Sequence, residues 1–216
     1  MTEQNYQAMR RAMVESQLRT TGVNDPRVLA AMGAVAREDF VPAERRALAY
    51  ADATIPLGNR RAVNPPMALG LLLVESRLTG KERALVIGAA TGYAAAVVAW
   101  LTASVVAIEE DAALAATASG ALEGTGVILA QGPLAAGHLA GAPYDFILID
   151  GAVEDVPAAI IDQVADGGRI ATGLVEQGVT RLAVGRVVGD AVGFVTFADA
   201  AITPLPGFAA PRGFSF

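Results

Sequence analysis

The chain has 216 residues, 53% of them hydrophobic and 18% charged, and a formal net charge of -6. That length and composition fit one α/β domain with a sizeable core and exclude wholesale disorder. The acidic balance argues against a nucleic-acid partner, whose binders carry clustered basic residues. There is no cysteine, which excludes disulfides, thiolate metal sites and a cysteine nucleophile. The opening stretch MTEQNYQAMRRAM has no signal-peptide apolar core. The most apolar stretch, residues 93–108, contains Thr102 and Ser104 and is shorter than the roughly 20 apolar residues of a membrane span. The expectation is a cytoplasmic protein, monomer or homodimer, with no membrane or nucleic-acid partner and no metal.

In chain order, Asp25-Pro26 reads as a helix start, with the acid as cap and the proline at the first helical position. Val28, Leu29, Met32 and Val35 then repeat at helical spacing. Phe40-Val41-Pro42 is expected to end that helix and Ala43-Glu44 to begin another. Arg10-Arg11 and Arg45-Arg46 lie in this helical sequence and read as solvated faces. Residues 55–66 are punctuated by Pro and Gly and read as irregular, and residues 67–78 carry a second apolar helical pattern.

After Gly80 the texture changes. Short apolar runs at 84–87, 105–108, 127–129, 146–149 and 170–172 alternate with Ala- and Leu-rich helical segments such as 94–101 and 112–122. Such alternation predicts βαβ units and a mostly parallel sheet. Strands without polar alternation predict a sheet covered on both faces. Near the end, runs 182–188 and 193–197 joined by Gly189-Asp190 predict an antiparallel hairpin at the sheet edge. The expected organisation is a helical segment with an irregular loop, residues 1–79, packed on a doubly wound α/β core, residues 80–216. The aromatic residues Phe208, Phe214 and Phe216 are expected to pack on that core.

Residues 84–93 read ALVIGAATGY. Ligands of open α/β sheets bind beyond the carboxyl ends of strands, which is where Gly88, Ala89, Ala90, Thr91, Gly92 and Tyr93 fall. Glu109, at the end of the next apolar run, follows Gly88 by 21 positions. An acidic residue about 20 positions on takes the ribose hydroxyls of a bound nucleoside. The plainer alternative stays open at this point: a tight packing turn, with Glu109 and Glu110 as solvated strand-end charges. The dinucleotide fingerprint fails because its last glycine position holds Tyr93, and no Gly-Lys-Ser/Thr follows for a P-loop. A loop of this length suits S-adenosylmethionine, which needs no pyrophosphate cradle. The scarcity of basic residues near it in sequence agrees with a cationic sulfonium ligand.

Three stretches carry a family resemblance that covers about residues 13–173. MVESQLRTTGVNDPRVLAAMGAVAREDFVPAERRALAYADATIPLG, ALVIGAATGYAAAVVA and APYDFILIDGAVEDVPAAIIDQVADGGRI resemble the protein-L-isoaspartate O-methyltransferases, the first stretch most specifically. The resemblance implies a Rossmann-like methyltransferase core with a seven-stranded, mostly parallel sheet. It implies methyl transfer from S-adenosylmethionine to the α-carboxylate of isoaspartyl residues in damaged protein, with S-adenosylhomocysteine as product. A carboxylate acceptor is ionised at pH 7, its reference pKa being about 4. It therefore needs no general base, and alignment supplies most of the rate. The lone His138 is accordingly expected to be exposed or to cap a turn.

By the same resemblance Val63, the loop residues Gly88 to Tyr93, Glu109, Glu110, Gln131, Gly132 and Asp150 are candidates for holding the cofactor. Leu57, Gly58, Asn59 and Asn64 are candidates for the acceptor, with Asn64 in the catalytic position. Several positions depart from the family pattern. The family's active-site serine is Asn64, an amide of longer reach. It reads either as a substitute donor or as a pre-proline turn residue. The acid that helps hold the methionine ammonium is Val86, the loop's middle glycine is Ala90, and the adenine-contacting aspartate is Gln131. Each lost charge-assisted contact costs about 1.5–3 kcal/mol. Two readings follow: an active methyltransferase of the isoaspartate type or one drifted to another carboxylate, or a weak or inactive relative that keeps the fold as a binding or regulatory module. An NAD-type oxidoreductase is disfavoured by the loop spacing.

Overall fold

The structure, a computed structural model, describes residues 5–189 and 191–210. Asp190, Phe214 and Phe216, named above, lie outside them. Helix α1 (Tyr6–Ala12) runs on through a π-helical turn, Met13–Leu18, and stops at Gly22, whose φ of 101° is left-handed. Helix α2 (Pro26–Ala34) starts as expected: the Asp25 carboxylate accepts from the Arg27 N–H and Pro26 takes the first helical position. It ends earlier than Phe40, however. Residues 37–40 and 43–48 form separate 3-10 turns, because Arg37 and Phe40 are drawn inward at the expense of helical continuity.

The stretch read as irregular holds an antiparallel hairpin, β1 (Ile55–Gly58) and β2 (Arg61–Val63). Its two-residue connection, Asn59-Arg60, has φ of 47° and 58°. Positive φ at both central positions is the hairpin turn that matches strand twist. The missing signal is Arg60: glycine is usual there, and arginine hides the turn. Helix α3 (Pro66–Ser76) follows, again with proline in its first turn.

The main sheet contains β3 (Arg83–Ile87), β4 (Ser104–Glu109), β5 (Ile128–Gln131), β6 (Tyr144–Val153), β7 (Val164–Glu176), β8 (Val179–Val188) and β9 (Ala191–Asp199). Their order is β5-β4-β3-β6-β7-β8-β9. The first five pair in parallel, and β8 and β9 form the antiparallel edge. Helices α4 (Tyr93–Ala99), α5 (Ala112–Ala121) and α6 (Ala158–Ile161) lie between the parallel strands in sequence.

Both faces are covered. On β3, Val86 packs with Met32, Phe40, Leu73 and Val97, whereas Leu85 and Ile87 pack with Ile160, Leu205 and Phe208 on the other face. This two-residue alternation follows from the pleat. Burying such an aliphatic side chain contributes about 1.5–3 kcal/mol. Phe208 is buried, in line with the expectation for the tail. Among the described residues no helix is long and apolar enough to cross a membrane, and no group of three or more acidic or histidine side chains is placed to hold a metal ion.

Candidate active site

The strand order reverses at β3 and β6: the chain leaves β3 toward β4 and β5 on one side and returns through β6 on the other. Beyond the carboxyl ends of these two strands lies the crevice where open α/β sheets take ligands. Loop 88–92 stands on one side of it and Asp150-Gly151 on the other. The Gly88 and Ala89 N–H groups both donate to the Ile108 carbonyl at 3.0 Å, so the loop is stitched to β4. Gly88 and Gly92 have φ of 80° and 104°. A Cβ on Gly92 would lie 2.9 Å from Leu122. That glycine therefore serves packing as well as backbone freedom. Ala90 adopts φ of 51°, a left-handed conformation that costs an L-residue roughly 1–2 kcal/mol.

Glu109 ends β4 fully buried, and both of its carboxylate oxygens accept hydrogen bonds. Its Oε1 accepts from the N–H groups of Glu110 (2.9 Å) and Asp111 (3.0 Å), and its Oε2 from the Ala90 N–H (2.6 Å). Arg61 then closes a two-pronged ion pair: Nη1 to Oε1 at 2.5 Å and Nη2 to Oε2 at 2.9 Å. The Arg61 side chain is only 4% exposed. The guanidinium overlies the loop itself, since a Cβ on Gly88 would meet Arg61 Nη2 at 3.4 Å. Glu110 is exposed and accepts from the Leu134 N–H.

Across the crevice, Asn64 is 6% exposed. Its amide nitrogen donates to the Asp150 carbonyl and to Asp150 Oδ1, both at 3.1 Å, and its amide oxygen accepts from the Thr203 N–H at 2.9 Å. Its own carbonyl accepts from Arg37 Nη2 at 2.6 Å. Arg37 is fully buried, donates its Nε–H to the Ala49 carbonyl, and lies 4.5 Å over the Tyr93 ring. Burial is the main influence on the Asp150 carboxyl and pushes its pKa up, with the Asn64 hydrogen bond and the Arg37 charge working against it. Segment 203–205 runs beside the end of β6, bonded both ways to Ala152, and leaves no room for a side chain at Gly151.

The remaining candidates disperse around this centre. Val63 is buried and pairs with Ile55. Thr91 donates to the Phe40 carbonyl. Leu57 is half-buried, Gly58 is exposed, and the Asn59 amide donates to Asp111 Oδ2 at 2.8 Å, tying the hairpin tip to the cap of α5. Gln131 is exposed at the end of β5, and the Gly132 N–H donates to the Glu109 carbonyl. Val86 is wholly buried among N-terminal core residues. His138 is half-buried, and its Nδ1 shares a 2.9 Å hydrogen bond with the Tyr144 hydroxyl.

Two sequence expectations are corrected. The site is not poor in basic residues: Arg37 and Arg61 converge on it from 51 and 27 residues before Gly88, because burial of acidic strand ends recruits cations from wherever the fold brings them. Arg10 is not a solvated charge either, since it bonds Glu38 and Tyr50. Arg61 and Thr203 were invisible as site residues. Only the double arginine at 60–61 beside the acceptor-side loop hinted at one of them.

Seven strands in this order, with a glycine loop after the first parallel strand and an acid ending the next, define the methyltransferase class of Rossmann-like folds. The comparisons narrow the class. The family model described as Protein-L-isoaspartate(D-aspartate) O-methyltransferase matches residues 8–189. The protein-L-isoaspartate O-methyltransferase of Methylorubrum populi is 44% identical over 165 residues, which is 76% of this chain and 78% of that protein. Protein-L-isoaspartate O-methyltransferase 1 of Rhodopseudomonas palustris is 38% identical over 94% of this chain and 85% of its own length. A solved protein-L-isoaspartate O-methyltransferase superposes with a TM-score of 0.80 at 22% identity, over 92% of this chain and 66% of that one. A Plasmodium falciparum β-aspartate methyltransferase solved with S-adenosyl-L-homocysteine superposes at 0.78, with 15% identity, over 94% and 99%. The chain belongs to the protein-L-isoaspartate O-methyltransferase family.

The family implies S-adenosylmethionine, and the residues can be tested against it. Loop 88–92 and the crevice are in the right place. The carboxylate expected to take the ribose is not open, however: both Glu109 oxygens are engaged by five donors, two of them from Arg61. In this arrangement the site does not fit a nucleoside.

Proposed function

We propose that this chain is an S-adenosylmethionine-dependent protein carboxyl O-methyltransferase acting on isoaspartyl residues. The observation that carries this reading is the family match over residues 8–189, with 44% identity to a relative of that activity. The cofactor, when bound, supplies the methyl group. The chain's own residues have to hold an acceptor carboxylate that is already ionised and keep water away from it. A cavity of about 700 Å³ between the β1–β2 hairpin and segment 203–209, lined in part by Pro56, Arg60, Arg61 and Leu205, supports an acceptor site there. The exposed Arg60 suits an anionic acceptor. In this reading residues 1–79 form the acceptor-side cover on a core of residues 80–216, and neither a membrane nor a nucleic acid takes part.

A second reading, an inactive relative, is favoured by one observation: Asn64 spends its amide on Asp150 and Thr203 and Glu109 spends its carboxylate on Arg61. Transfer of labelled methyl from saturating S-adenosylmethionine to an isoaspartyl peptide, with the aspartyl peptide as control, separates the two. Methylation of the isoaspartyl peptide alone is expected. No transfer by the wild type or by a variant that binds S-adenosylhomocysteine would leave the second reading standing.

A further inference from the structure

We propose that Arg61 is an internal occupant of the ribose position on Glu109: nucleoside cofactor and Arg61 exclude one another, and Arg61 sets the affinity. This rests on the methyl-donor reading above. Three backbone N–H groups, from Ala90, Glu110 and Asp111, already hold the Glu109 carboxylate in place without Arg61. The arginine is therefore not needed to orient it. What the arginine takes are the remaining acceptor positions, those facing the crevice over Gly88. A ribose diol would donate to the same positions, and a planar guanidinium fork already meets both oxygens.

The element that delivers Arg61 is also built to let go. The hairpin strands are short, their turn has Arg60 at a left-handed φ of 58°, and its tip is tied to the core by the Asn59–Asp111 hydrogen bond. The adjoining cavity gives the displaced side chain somewhere to go. A ligand that must first displace an internal partner binds more weakly by the population of the open state.

Calorimetric titration with S-adenosylhomocysteine tests this on the full chain. Arg61→Ala is expected to bind at least tenfold tighter than the wild type. Arg61→Lys, which keeps a charge beside Glu109 but loses the fork, is expected to fall between them, at least threefold tighter. If Arg61→Ala does not fold, Arg61→Lys against the wild type decides. Equal or weaker affinity in the folded variants, or binding by none of them at millimolar ligand, would overturn the proposal. Tighter binding without methyl transfer would sink the activity reading and leave this inference intact.

Discussion

Two carboxylates flank β3 at the crevice, Glu109 ending β4 and Asp150 near the end of β6, and the chain treats them oppositely. Glu109 on β4 receives five donors, two of them from a cation. Asp150 on β6 receives a neutral amide from Asn64, with the Arg37 charge acting at a distance. Glu109 is fully buried and Asp150 half-buried, and their partners differ as well. A two-pronged cation ties the Glu109 carboxylate down. A single neutral donor leaves burial dominant and the carboxyl pKa raised. Glu109 is thus held by five donors, whereas the Asp150 side chain is loosely held and its pKa is raised.

The largest break in this comparison is expected at the locked acid. Glu109→Ala strands Arg61 in the interior and orphans three backbone N–H groups. It should cost about 3–5 kcal/mol of unfolding free energy in urea titration. Loss of less than about 1 kcal/mol would mean that the pair is not buried in solution. On the looser side, Asn64→Ala removes one neutral amide that joins β6 to segment 203–205. A cost of about 1–3 kcal/mol is expected by the same measurement.

A smaller effect of opposite sign is expected at the loop beneath Glu109. Ala90→Gly relieves a left-handed alanine, offset by the freer unfolded chain. A net gain of about 0.5–1 kcal/mol in thermal or urea unfolding is expected, and a loss would mean that the alanine methyl is needed for packing. The last comparison is one of slope. Because the folded pKa of Asp150 lies above its ordinary value, the folded state holds its proton longer than the unfolded chain. Asp150 thus contributes stability that is full below about pH 4, the unfolded carboxylate value, and is lost as pH rises through the folded pKa. Asp150→Asn should gain stability relative to the wild type over that rise, and parallel pH profiles would refute the raised pKa.

Much of this architecture could be read along the chain. The alternation of apolar runs after Gly80 predicted the parallel strands and the edge hairpin, and the Gly88–Glu109 spacing put the loop and the acid in register. These are short-range properties: strand pleat, helix caps and turn glycines act over a few residues, and β4 directly neighbours β3. The β1–β2 hairpin escaped because its left-handed turn uses Asn59 and Arg60 where glycine would have announced it. The helix expected to run to Phe40 stopped at Ala34 because packing of Arg37 and Phe40 outweighed local propensity.

The state of the site is a different matter. Glu109 was legible as a strand-end acid, but its partner lies 48 residues away in sequence, and the Thr203 N–H that takes the Asn64 amide oxygen lies 139 residues away. Which donor satisfies a buried acceptor depends on what the folded chain brings within about 3 Å, and no local pattern encodes that. Residue identity put a carboxylate at the end of β4. Arg61, arriving from a separate hairpin, decides which partners its oxygens take.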